Sequence, residues 1–110
     1  MRRTEDDVIR EIRQVSIVQL RLWVARGWVT PWPDLEGPTF DEIDMARIRL
    51  VQELQEEMGI DEEALPVVLS LIDQLYGTRR ELKALVRAVA EEPADARQRI
   101  FQKCRAILER

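Results

Sequence analysis

Between Val15 and Pro31 the chain carries a full helix specification: a start signal, one apolar face and a hard stop. Ser16, followed three residues later by Gln19, is the S-x-x-Q form of a capping box. That arrangement satisfies two orphaned backbone N–H groups reciprocally. Leu20, Trp23 and Val24 recur at helical spacing and predict one buried face. Gly27 stands where a left-handed residue ends a helix, and Pro31 blocks continuation. The predicted helix is about eleven residues long. A preceding helix is predicted from about Glu5 to Gln14, with Thr4 as N-cap, Asp7 at its third position, and Val8, Ile9 and Ile12 as its apolar stripe. Val15 joins the two directly, as the tight turn of a helix-turn-helix requires.

Trp28 and Val29 are expected to close the core where the chain leaves this helix. Trp32 lies between Pro31 and Pro33 in a polar loop and is a candidate contact residue. The segment from Pro31 to Pro38 reads as a wing-like loop. Short strand pieces are expected around Val29 and Phe40, with Pro31, Pro33 and Pro38 limiting any ladder. Asp41 caps a third helix that reaches about Met58 and stops at Gly59, with Ile43, Ile48, Val51, Leu54 and Met58 as its buried face.

Asp61 caps the next turn, and Pro66 either kinks the following helix or starts it afresh. That helix continues toward Glu91. Val68, Ile72, Leu75, Leu82, Val86 and Val89 form a heptad seam with Arg79 in its one polar slot, and Gly77 offers a place for a bend. The seam is a candidate dimer interface; the competing expectation is that it packs back on the first three helices. Glu92 and Pro93 open a last helix with Ala96, Ile100, Phe101, Cys104, Ile107 and Leu108 on one stripe, Cys104 being expected as a small core residue. The expected fold is all-α. Residues 1–64 form a winged helix-turn-helix, 65–91 a long helix with a possible coiled-coil dimer seam, and 92–110 a C-terminal helix.

Composition narrows the chemistry. The chain has no histidine and one cysteine, so the usual zinc, haem and Cys/His nucleophile sites lack their ligands. Its four glycines are isolated, which leaves no phosphate-cradling loop. Most of its 21 carboxylates fall in helix first turns or on solvated faces, where ordinary pKa values are expected. No enzyme and no cofactor is expected. The longest apolar run, Ala64 to Leu69, is too short to span a bilayer, the N-terminal residues turn acidic at once, and Cys104 has no disulfide partner. The expected location is the cytoplasm.

Several of these phrases carry a family resemblance. Val15-Ser16 followed by Leu20-Arg21, the exit Arg26-Gly27-Trp28-Val29-Thr30-Pro31, and Phe40-Asp41-Glu42-Ile43-Asp44 resemble the N-terminal domain of MerR-type winged-helix proteins. Leu22-Trp23-Val24-Ala25-Arg26-Gly27-Trp28-Val29, together with the segment from Leu65 to Tyr76, resembles the CbpM-type chaperone-modulator branch more narrowly. The resemblance covers roughly residues 4 to 90. It implies a MerR-like fold that binds the J-domain of a DnaJ-like co-chaperone and restrains its action on Hsp70.

A MerR-like fold also suggests DNA binding, with Ile17, Val18, Gln19 and Arg21 as the groups of the recognition helix. Charge argues against it. DNA affinity comes chiefly from Lys and Arg on phosphates, and the chain has no base from Gly27 to Ala46. From Thr30 to Pro66 there are eleven acids against Arg47 and Arg49, a balance of 2 − 11 = −9, whereas the rest of the chain stands at +5. Under the resemblance, a J-domain's basic helix would meet this acidic segment. The expected partner-binding residues are Trp32, Asp34, Leu35, Glu36, Asp41, Glu42 and Asp44, with Trp32 and Leu35 as apolar anchors.

Overall fold

The computed structural model describes residues 2–110, and among them the chain is all-helical. Helix α1 spans Glu5–Glu11, α2 Ile17–Ala25, α3 Glu42–Gln52, α4 Leu65–Ala90 and α5 Ala94–Leu108; a single π-helical turn, Glu53–Glu57, extends α3. The chain divides into two compact units, Met1–Leu69 and Ser70–Arg110. The first contains α1 to α3 and the opening turn of α4. The second contains the remainder of α4 and α5.

The helix starts follow local chemistry. Thr4 and Asp7, Ser16 and Gln19, and Asp41 and Asp44 each form a reciprocal capping box, in which each partner's side chain accepts the other's backbone N–H. The helix ends follow it too. Gly27 has φ +77°, and beyond it the Trp28 N–H reaches the Trp23 carbonyl at 2.9 Å while its own N–H reaches that of Val24 at 3.0 Å. These two bonds make a Schellman closure, which satisfies carbonyls that the helix itself leaves open. Gly59, at φ +67°, ends the π turn similarly, with the Ile60 N–H on the Leu54 carbonyl at 2.9 Å. Helix α1 is shorter than expected. Ile12 leaves helical geometry, and both it and Val15 turn into the core.

That core packs Val8, Leu20, Trp23, Trp28, Val29, Phe40, Met45, Ile48 and Val51, with Leu65 and Leu69 from the start of α4. Trp28 and Val29 close it as their sequence position implied. The face of α3 differs from expectation. Met45 is buried, whereas Ile43 and Met58 are 79% and 68% exposed. Ile43 lies two residues from Met45 and so on the opposite side of the helix. Met58 is the C-cap residue of the π turn, where the chain leaves the helix, and it is exposed while Leu54 stays buried.

No strand forms among the described residues. Two isolated antiparallel bridges stand where strand pieces were expected, Arg3 with Phe40 and Trp32 with Thr39, so pairing falls at Trp32 rather than Val29. Pro31, Pro33 and Pro38 lack the N–H groups that a longer ladder needs. Helix α4 runs through Gly77 without interruption, with Pro66 in its first turn, where a missing N–H costs nothing. Beyond Leu69 no residue is buried, so Cys104 is exposed and is not the core residue expected. No helix among the described residues is long and apolar enough to cross a membrane.

Candidate protein-docking site

The loop of residues 31–40 folds as a small tight excursion anchored at both ends. Trp32 and Thr39 exchange N–H···O bonds of 2.8 Å in both directions, and the turn between them closes with the Gly37 N–H on the Asp34 carbonyl at 3.1 Å. Gly37 has φ +127°, a conformation open to glycine and few other residues. The indole N–H of Trp32 donates to Asp41 at 3.0 Å, and the Arg2 guanidinium lies 4.8 Å from the centre of its ring. Trp32 therefore pins the loop to the start of α3 while remaining 49% exposed.

The seven candidate partner-binding residues separate into two groups. Asp41, Glu42 and Asp44 are each bonded to other residues of the chain, Glu42 while remaining exposed. Asp41 caps α3, and its carboxyl is held below the usual range by the Asp44 backbone N–H first and the Trp32 indole next. Asp44 is pushed upward, mainly by burial. Glu42 pairs with Arg3, which lowers its pKa. At the loop tip, Leu35 is fully exposed between the exposed Asp34 and Glu36, and its N–H rests on the Asp34 carboxylate at 2.7 Å. Trp32, Asp34, Leu35 and Glu36 thus form one exposed apolar and acidic projection.

The candidate DNA-reading groups on α2 are otherwise occupied. Arg21 forms a two-pronged pair with Glu5, at 3.0 and 3.2 Å, which raises its pKa. Gln19 uses its oxygen on the Ser16 N–H and its amide nitrogen on Glu56, both at 2.9 Å. Ile17 is half-buried and Val18 exposed, and neither carries a side-chain hydrogen-bonding group. Arg47, one of two bases in the acidic segment, donates to the Trp28 carbonyl at 2.9 Å.

The seam residues all lie on α4, Val68 in its opening turn and the others in the second unit. Leu75, Arg79, Leu82 and Val86 are exposed, and Val68, Ile72 and Val89 are half-buried. Leu71 and Leu85, absent from the expected seam, flank it and are exposed as well. Their one-residue offset from the heptad widens the apolar face beyond a strict two-position stripe.

Sequence reasoning missed the Arg21–Glu5 and Arg26–Glu62 pairs and the Arg2–Trp32 stacking. No short-range spacing signals them, because each joins residues brought together by packing. Among the described residues no three His, Cys, Asp or Glu side chains converge as a metal site requires. No family model, no curated protein and no solved structure matches this chain.

Proposed function

We propose that this chain is a non-enzymatic modulator that binds the J-domain of a DnaJ-like co-chaperone through an acidic surface and restrains its action on Hsp70. The reading extends the resemblance to CbpM-type, MerR-like winged-helix proteins, with the 31–40 loop as the wing. The observation that carries it is the loop tip, where fully exposed Leu35 is flanked by Asp34 and Glu36 and backed by half-exposed Trp32. An apolar anchor with a like-charged rim suits docking of a basic helix: the anchor supplies affinity and the rim supplies rate and selectivity. Asp41 acts one step back, holding Trp32, with Asp44 bonded to Asp41 in the capping box and Glu42 paired with Arg3. The exposed face of α4, from Leu71 to Val86, serves a homodimer.

The competing reading is a MerR-type DNA-binding regulator. Its recognition helix would have to break the Arg21–Glu5 and Gln19–Glu56 contacts before touching a base. Calorimetric titration against the J-domain fragment of a DnaJ-like protein, at two salt concentrations, tests the choice. Saturable, salt-weakened binding is expected, with D34K/E36K at least about tenfold weaker. No binding to the J-domain, with a gel shift of the gene's own promoter DNA, would overturn the reading in favour of DNA.

A further inference from the structure

Helix α2 presents an apolar line to solvent. Val18, Leu22 and Ala25 recur at i, i+4 and i+7, which places them on one strip of the helix surface, and all three are exposed. Val18 is 73% and Leu22 37% exposed. A short helix with three apolar residues on its outer line departs from the usual pattern, in which that line is charged.

Carboxylates from three separate elements border the strip. On one side Glu5, from α1, reaches Arg21. On the other, Glu56 from the π turn reaches Gln19 at 2.9 Å, and Glu62 from the segment before α4 reaches Arg26 at 3.1 Å. In the π turn Leu54 is buried while Glu56 and Glu57 are exposed. The Glu5 side continues into a cleft of about 350 Å³ between α1, α2 and the 31–40 loop, where Glu5, Asp6, Asp34 and Glu36 surround the single base Arg21. The cleft adjoins the strip through Arg21 and the loop tip through Asp34 and Glu36.

We propose that this strip of α2 is a docking surface for a basic amphipathic helix of a protein partner. The helix lays its apolar face on Val18 and Leu22 and extends Lys or Arg side chains toward the cleft carboxylates. The charge complement selects that occupant: an acidic helix would bring carboxylates toward Glu5, Asp6, Asp34 and Glu36 without compensation, and a neutral one would leave that acidic lining unmatched. The inference rests on the modulator reading in taking a protein as partner, and it moves the centre of the contact from the loop tip alone to α2.

The test is NMR titration of the ¹⁵N-labelled full chain with a designed Lys/Leu amphipathic helical peptide, with its Glu/Leu counterpart, and with the J-domain fragment. The double variant V18S/L22S removes the apolar strip without changing charge, and its melting temperature is measured beside the parent's. The Lys/Leu peptide is expected to shift the amides of Val18, Leu22 and Ala25, the Glu/Leu peptide to leave them unmoved, and V18S/L22S to bind about tenfold more weakly. If the Lys/Leu peptide binds at α2 and the J-domain does not bind, the α2 surface stands and the J-domain reading falls. If the J-domain binds with shifts confined to the 31–40 loop and V18S/L22S binds as the parent does, the α2 surface is overturned and the modulator reading stands. Equal response to both peptides, or none to either, also overturns it.

Discussion

Trp23 joins the core to the π turn, and replacing it with phenylalanine tests that connection. Its ring is fully buried, and its indole N–H donates to the side chain of Gln55 in the π turn at 3.1 Å. Trp23→Phe opens a void of roughly 40 Å³, which at ~24 cal/mol per Å³ costs about 1 kcal/mol. The lost hydrogen bond adds about 1 kcal/mol, since Gln55 is half-buried and only partly rehydrated. A unit bounded by Met1 and Leu69 has a total stability of roughly 3–10 kcal/mol, so a loss of about 2 is a large share of it. Urea unfolding followed by tryptophan fluorescence reads the effect, because Trp28 remains buried in the variant. Gln55→Ala alone should cost about 1 kcal/mol, and the double variant should cost less than the two single losses combined, with a coupling near the hydrogen-bond value. Strict additivity, or a Trp23→Phe loss under about 0.5 kcal/mol, would refute the view that this bond ties the π turn to α2.

Acid should destabilise the fold. Asp7, held down by Thr4, Asp41, held down by Asp44 and then Trp32, and Glu42, held down by Arg3, all have lowered folded-state values. The unfolded chain protonates these groups first, so their contribution is complete above the ordinary carboxylate range and is lost as pH falls through the folded values. Asp44, raised by burial, acts in the opposite sense. Thermal melts by circular dichroism should be flat near neutrality and fall below about pH 4; a melting temperature that rises on acidification would mean that Asp44 dominates. Gly27→Ala should cost about 1 kcal/mol, or roughly 4–8 °C in a melt. An added Cβ there meets nothing within 4 Å, so the penalty comes from φ +77° alone. For the α4 face, L75E/L82E should convert a dimer to a monomer in sedimentation equilibrium without loss of helical signal from the first unit. A parent chain that sediments as a monomer at high concentration would remove the case for the seam.

What the sequence determined by itself is the set of local punctuation marks. Ser16 with Gln19, Thr4 with Asp7, Asp41 as a cap, Gly27 and Gly59 act within one helical turn, where backbone donors and acceptors have few other partners. Those contacts are nearly independent of the rest of the fold, and the elements they bound formed close to where the spacing placed them. The tertiary structure decided which faces turn inward and which charges are spent. Ile43 and Met58 read from the sequence as buried, whereas packing turned Met45 inward and left both of them exposed. Arg21 and Gln19 read from the sequence as groups of a recognition helix, Gln19 also as the capping partner of Ser16. Only the close approach of α1 and the π turn binds them to Glu5 and Glu56. The candidate site divides the same way. The exposure of Leu35 between two acids follows from loop composition, whereas the acidic cleft beside α2 exists only because residues far apart in the chain are packed together.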